Sequence, residues 1–409
     1  MSNPVRPGSF STFFAEGQYE TQTEMLEVVE KSRKLTIGIP LETTLQENRV
    51  AIVPNSIRIL KGYGHDVLVE SGAGKSSSFT DRDYTEAEAE VTKSKKKVYE
   101  SHIIIKTQPP TLDEIDLMQV GQILVSPMPL PIISKEYIEK LQKKKVYAIA
   151  MEHIQSEDGS YPIVRMMSEI AGMVAMLTGA QLLTKSSGGR GVLLGGISGV
   201  PPAKVVILGA GVVGEHATRT ALGLGASVRI FDNDIYKLMR LQNKVGRPLH
   251  TSALNPVYLG YQLLSADVVI GAIHSKNGRA PVIVTEEMVA KMKDGAVIID
   301  VSIDQGGCFE TSEVSTLKNP TFIKHGVIHY CVPNIASNVG RTASISISNI
   351  ITPIILKLSN SQDIGRLLFN DVGIRSGVYI FQGKLTNEYL AKRYDLKYTD
   401  LNLILTSGL

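Results

Sequence analysis

The sequence predicts an α/β fold: parallel sheets with helices packed on both faces. Three observations carry this. Short apolar runs alternate with amphipathic helical patterns along most of the chain, the pattern of βαβ units. A glycine-rich joint, "SSGGRGVLLGGISGVPPAK", separates two such series. The second series opens on a buried strand that runs into Gly209-x-Gly211-x-x-Gly214 and then a helix.

Residues 1–35 are polar and precede the alternation. Within them "TQTEMLEVVEKSRK" reads as an amphipathic helix, with Met25, Leu26, Val28 and Val29 on one side,. "LTIGI", "DVLVES", "HIIIKT" and "VYAIAMEHI" then read as strands, and "PNSIRILKGYG" as a helix closed by glycine,. "GQIL" is a short strand leading into "VSPMPLP", whose prolines at every second position suit neither a helix nor a central strand,. A long helical pattern covers Ile163 to Leu183 and leads into the joint. Beyond the glycine loop, strands are expected to end at Asp232 and to cover "DVVIGA" and "AVIIDVSID". "RTASISISNIITPIILKL" is ambiguous: its Ser/Ile alternation looks strand-like, Pro353 complicates a helix, and periodicity does not settle it.

The 409 residues suffice for two or three domains with real cores,. A hydrophobic share of 43% with 20% charged residues marks a globular chain, and a net charge of +3 gives no domain-scale basic face,. "KSKKKVY" lacks an aromatic platform and reads as a solvated helix face, so no nucleic-acid partner is expected. Two cysteines, Cys308 and Cys331, argue for a reducing compartment,. They do not form a zinc pattern, and no metal is expected. No signal-peptide h-region and no run of about 18 apolar residues is evident. A soluble, cytoplasmic protein without a membrane partner is the expectation.

The glycine loop has a physical reading. Gly209 permits the strand-to-helix turn, Gly211 lets backbone approach a pyrophosphate, and Gly214 lets helix and strand pack. The helix N-terminus adds unpaired N–H groups and partial positive charge. Asp232 closes the next strand 18 residues beyond Gly214, where a carboxylate binds ribose hydroxyls and repels a 2′-phosphate. NAD is therefore favoured over NADP. Farther on, "AVIIDVSIDQGGCFE" runs a buried strand into Asp304, beyond which ligands bind in open sheets. Spacing alone leaves Asp304 as either a turn or cap residue or a group beside the nicotinamide.

With these residues in view, the chain resembles the alanine dehydrogenase family and, more distantly, the NAD-binding domain of transhydrogenase. The resemblance covers about residues 36–400, through "IGIPLETTLQENRVAIVP", "ESGAGKSSSFTDRDY", "MSEIAGMVA", "GGRGVLLGGISGVPPAKVVILGAGVVG", "MKDGAVIIDVSIDQGGCFE" and "HYCVPNIASNVGRTAS". It implies two Rossmann-like, doubly wound domains with the active site in the cleft between them. Residues 36–163 and 341–409 would form the substrate domain and 164–340 the NAD-binding domain, with 1–35 as an extension. "RTASISISNIITPIILKL" would then be a helix returning to the substrate domain. The implied partners are a small 2-amino or 2-oxo acid and further copies of the chain, often six. The implied reaction is reversible NAD-dependent deamination of L-alanine to pyruvate and ammonia.

That chemistry needs a cation for the substrate carboxylate, suited to bidentate arginine, and groups that move protons at the amine and at water. The resemblance puts Arg49 on the carboxylate, Asp304 in proton transfer and Asn334 near the reacting centre. It makes Ser168, Asp232 and Lys237 cofactor contacts, with backbone around Ile273 and His274, along Val301, Ser302, Ile303 and Asp304, and from Val332 to Ile335. Two positions depart from the family. Gln108 stands where the family has a substrate-binding lysine, two residues after Lys106, and Pro129 stands where it has a catalytic histidine. Proline moves no proton, and glutamine offers only neutral hydrogen bonds. The prolines of "VSPMPLP" would instead shape the pocket, with Met128 and Leu130 as its apolar wall. Among histidines near strand ends, His102, His153 and His274, the second follows Glu152 and reads either as a partly buried structural histidine or as a group near the cleft. Two other readings accompany the enzyme: a transhydrogenase-type NAD(H) domain with partner subunits, and a non-catalytic NAD-binding regulator.

Overall fold

The central strands are buried almost throughout, and successive residues face opposite cores, so the chain sorts into two sheets with a core on either face. The computed structural model describes residues 34–44, 46–130, 133–275, 278–361 and 363–407. The helix expected over "TQTEMLEVVEKSRK" lies outside these. The first sheet takes β1 (Thr36–Ile39), β2 (Asp66–Glu70), β3 (Glu90–Thr92), β4 (Ile103–Ile105), β5 (Ile123–Ser126) and β6 (Tyr147–Ala150). The second takes β7 (Lys204–Leu208), β8 (Ser227–Phe231), β9 (His250–Ser252), β10 (Val268–Gly271), β11 (Val297–Asp300), β12 (Thr321–Lys324) and β13 (Val327–Tyr330). The chain then returns to the first sheet with β14 (Val378–Phe381) and β15 (Lys384–Leu385).

The first sheet runs β15-β14-β6-β5-β4-β1-β2-β3 and the second β12-β13-β11-β10-β7-β8-β9. The neighbours from β1 to β6, and in the second sheet from β7 to β11 and β13, are parallel. The edges are antiparallel: β14 against β6 and β15, and β12 against β13. The sheets are thus mixed where alternation alone predicts parallel ones. Short hairpins at an edge need no crossover helix. Period-two burial follows: Ile103 and Ile105 face one core and Ile104 the other, as Val205 and Ile207 do against Val206 and Leu208.

Strand order reverses at β1, between β4 and β2, and at β7, between β10 and β8. Such switch points open a crevice at the carboxyl ends of the strands. Two long helices tie the sheets together. Pro162–Leu182 places Ile163 in the first core and Ile170, Val174 and Ala175 in the second. Gly340–Asn360 does the same with Ala343 and then Ile347, Ile351 and Ile355. Length and composition would let either cross a membrane, but these residues lie in the two cores.

The ambiguous Ser/Ile segment is therefore helix, and its reason is polar. Ser344 and Ser348, four residues apart, accept the Val50 and Val53 N–H groups at 2.9 and 3.1 Å. Ser344 Oγ also donates to the Gly340 carbonyl, and Thr352 Oγ1 to the Ser348 carbonyl, both at 2.6 Å. The i,i+4 stripe thereby satisfies the backbone of the loop after β1, which no strand ladder reaches.

The helix Pro162–Leu182 meets the helix Val212–Gly223 at Gly172, where a Cβ would lie 2.3 Å from the Val213 carbonyl oxygen. Gly172→Val is expected to force these helices apart at a cost of about 1–3 kcal/mol. Thermal unfolding checks this: an unchanged midpoint would mean the crossing can widen freely.

Candidate functional site

The glycine loop sits at the β7 switch point. Gly209 adopts φ +106°, and a Cβ there would lie 2.3 Å from the Ala272 carbonyl oxygen beyond β10. A Cβ on Gly214 would lie 1.9 Å from the Gly209 carbonyl oxygen. Both positions therefore exclude a side chain for reasons internal to the fold. Gly211 differs: a Cβ would meet no atom of the described residues within 4 Å. It borders open space at the start of the helix Val212–Gly223, the cradle a pyrophosphate needs. The Asp232 carboxylate is buried and oriented by the Ala210 N–H at 2.7 Å and the Asp234 N–H at 2.8 Å. Lys237 lies in the first turn of Ile235–Val245, capped by Asp234.

The other expected cofactor contacts border the same crevice. The Ile273 N–H donates to Ser302 Oγ at 2.9 Å, joining the ends of β10 and β11, and His274 is exposed beside it. Ser168 and Val301 are half-buried. Ile303, Val332 and Ile335 bury their side chains, leaving backbone as what they offer a ligand. These residues fit a dinucleotide.

At the β1 switch point stands a carboxylate that sequence reasoning missed. Glu47 is fully buried, and Arg49 is 9% exposed. Oε1 of Glu47 accepts the Arg49 N–H at 2.9 Å, Arg49 Nε at 2.7 Å and Ser337 Oγ at 2.9 Å. Oε2 accepts Arg49 Nη2 at 2.6 Å, Gln108 Nε2 at 2.6 Å and Asn334 Nδ2 at 3.0 Å. Arg49, Gln108 and Asn334 thus come together on one residue. The only available signal was an acid two positions before Arg49, which an ordinary surface pair would also give. Ser337, also missed, in addition accepts the Asn48 N–H at 2.9 Å.

Burial alone would raise the pKa of Glu47, but the hydrogen bonds and charge of Arg49, with the Gln108 amide, outweigh it and hold the carboxyl at about 2,. The drop from 4.5 to about 2 corresponds to on the order of 3 kcal/mol of stability,. That contribution is fully present above pH 4.5 and is lost as pH falls towards 2.

Asp304 behaves in the opposite sense. The cap of the turn Val301–Gln305 is Asp300, which accepts the Ser302 N–H at 3.0 Å, the Cys308 N–H at 2.9 Å and Ser312 Oγ at 2.6 Å. Asp304 is left facing the crevice. The residue is exposed to the crevice, yet desolvation by the protein atoms on its inner side raises its pKa against the pull of the Asn334 N–H and the Arg49 charge. The Asn334 N–H reaches Asp304 Oδ1 at 3.1 Å. Asn334 itself is left-handed, at φ +57°, a conformation asparagine tolerates better than most residues. That geometry lets one residue serve Asp304 with backbone and Glu47 with side chain.

Other expected groups lie elsewhere. Lys106 is buried, its Nζ 3.1 Å from Glu42 Oε2 and 3.4 Å from Glu114 Oε2. His102 precedes β4, at the amino end of the sheet, and bonds Thr36, so it is remote from the crevice. His153 is half-buried after β6. In "VSPMPLP", Pro131 lies outside the described residues and Pro129 is half-buried. Met128, expected as pocket wall, instead packs into the core beside Leu124 and Tyr137, because its N–H is held by Glu152 Oε1 at 2.6 Å. Burial raises the Glu152 pKa.

Comparison with known proteins covers almost the whole described chain. The family descriptions "Alanine dehydrogenase/PNT, N-terminal domain" and "Alanine dehydrogenase/PNT, C-terminal domain" match residues 38–171 and 175–388. "Alanine dehydrogenase 2" of Staphylococcus aureus (strain USA300) is 39% identical over 365 residues, 89% of this chain and 98% of that protein. A solved L-alanine dehydrogenase superposes with a TM-score of 0.84 at 37% identity, covering 88% of this chain and 99% of the other. A transhydrogenase from Sinorhizobium meliloti shares the fold, with a TM-score of 0.73 at 24% identity over 87% of this chain and 99% of its own. With both domain descriptions matched and such a relative covered nearly end to end, the chain belongs to the alanine dehydrogenase/PNT family.

Proposed function

We propose that this protein is an NAD-dependent dehydrogenase of small 2-amino acids, with L-alanine as the leading substrate. It would interconvert the amino acid with the 2-oxo acid and ammonia. The observation that carries the reading is the meeting of Asp304, Asn334, Arg49 and Gln108 where the carboxyl ends of both sheets face one crevice. The names of its relatives support the substrate.

Gly209 to Gly214 would hold the pyrophosphate, and Asp232 and Lys237 the adenosine side, with Asp232 selecting NAD over NADP. When bound, NAD supplies hydride transfer at the substrate Cα. Arg49 binds the substrate carboxylate. Asp304, whose raised pKa suits proton transfer, exchanges protons with the amine and the attacking water,. Asn334 holds Asp304 Oδ1 in place. Two free, buried cysteines suit a reducing, cytoplasmic setting,. A homo-oligomer, with six copies the form the family resemblance implies, has support from Met173 and Leu177, exposed on one face of the helix Pro162–Leu182,.

Gln108 and Pro129, in place of a lysine and a histidine, favour a second reading: an NAD(H)-binding domain that serves a partner or regulates without turnover. Assays of NADH change with alanine, with pyruvate plus ammonium and with glyoxylate separate the two. Silence at high enzyme with all of them would overturn the dehydrogenase.

Asp304→Asn is expected to lower kcat by at least about 100-fold, with NADH affinity nearly unchanged by fluorescence titration. Its stability should move the other way. A carboxyl with a raised folded pKa destabilises the native state once pH exceeds its ordinary value of 3.8,. The asparagine variant should therefore melt higher than wild type at pH 7, and the gap should close as pH falls below 3.8. For deamination, the wild-type rate should fall as acidification protonates Asp304, and a flat profile down to the ordinary carboxylate range would remove it as the base.

A further inference from the structure

We propose that Glu47 is the positioning residue of the substrate site: it grips the Arg49 guanidinium side-on and so leaves the adjacent, end-on edge to a substrate carboxylate. This rests on the dehydrogenase reading above and adds a residue and a specificity to it.

Arginine carries five N–H donors in one plane. Two of Arg49's, on Nε and Nη2, end on Glu47 at 2.7 and 2.6 Å. One more, on Nη1, faces Met167 Sδ at 3.4 Å, a weak acceptor. What remains is one hydrogen on each of Nη1 and Nη2, the two nitrogens of the end-on edge. That edge matches the two oxygens of a single carboxylate. An unbraced arginine would have to give up rotamer freedom on binding, whereas Glu47 has already fixed this one.

Glu47 is itself over-determined. Six hydrogen bonds reach its two oxygens, from Arg49, Gln108, Asn334 and Ser337. Gln108 contributes through a neutral amide, so Arg49 is the one cation hydrogen-bonded to Glu47 among the described residues. The pair carries no net charge. Asp304 adds no cation to the pair. A substrate carboxylate is then held by geometry, without surplus positive charge. The substrate class that follows is a monocarboxylate bearing an amine, with a second carboxylate disfavoured.

The test uses the full chain. Pyruvate is titrated calorimetrically into the NADH-loaded protein without ammonium, so that no turnover is needed, and steady-state kinetics are run with L-alanine. Glu47→Gln replaces one accepting oxygen with an amide that cannot accept. It is expected to raise the pyruvate Kd and alanine KM about tenfold or more, with a smaller change in kcat and NADH affinity within about twofold. Glu47→Asp, which keeps the charge, should recover part of the loss. Aspartate, with its second carboxylate, should be a poorer substrate than alanine for wild type.

Unchanged pyruvate affinity in a folded Glu47→Gln protein would overturn the inference, as would NADH affinity falling in the same proportion, the mark of a merely structural role. If only Glu47→Asp folds, the same two outcomes in that variant decide it. Wild type that turns over alanine beside an indifferent Glu47 variant sinks this inference alone. Wild type whose NADH complex takes up no pyruvate sinks both this inference and the dehydrogenase reading.

Discussion

The charged oxygen atoms of Glu47, shut away from water where two sheets meet, are the constraint on which the rest of the site depends. A buried carboxylate is tolerated only if its partners are fully supplied. Here they come from both sides of the crevice: Arg49 and Gln108 from the loops after β1 and β4, Asn334 and Ser337 from the turn after β13. Satisfying one ion therefore fixes the mutual placement of four residues from three separate segments. Removing Arg49 would leave unpaired charge in a dry place, and removing a neutral donor would weaken the shell around it, so the arrangement resists piecemeal change,.

The support beneath this cluster is mostly polar as well. The loop carrying Glu47 and Arg49 has backbone groups that no ladder satisfies, and the serines of the helix Gly340–Asn360 accept them. The apolar stripe on the same helix, Ile347, Ile351 and Ile355, buries into the first core. One helix thus supplies packing on one stripe and hydrogen bonding on the neighbouring one. The other long helix brings Met167 against Arg49 while its Ile170 and Val174 fill the second core, and Gly172 lets it pack closely on the helix Val212–Gly223.

Two acids a short way apart are driven to opposite behaviour by their surroundings. Glu47, surrounded by donors, stays ionised down to about pH 2. Asp304, open to the crevice and held by a single backbone N–H among the described residues, is pushed towards its neutral form by the protein atoms around its carboxyl. One acid holds a charge still, and the other is able to take and return a proton. Pairs of carboxyls separated in this way mark an acid–base site. With proline in place of an imidazole, Asp304 is the candidate for that work.

Much of this was legible in the amino-acid order. Strand identity, the long helix over residues 162–182, the glycine loop and its acid at Asp232 follow from local periodicity and backbone sterics, which act over a few residues. Arg49, Gln108, Asp304 and Asn334 could be named through family resemblance. Their common partner could not, since an acid two residues from an arginine looks like any surface pair until the fold removes the water. The Ser/Ile segment misled for a similar reason: alternation suggested a strand, and the i,i+4 serine spacing acquired meaning only once the loop it serves lay against it. Lys106 and Met128 were likewise drawn inward by Glu42, Glu114 and Glu152. What the sequence by itself determined is therefore the set of elements and the chemistry at their ends. What only the tertiary structure decided is which charges are desolvated and which donors reach them. Those depend on residues 61 to 290 positions apart along the chain meeting on a single carboxylate.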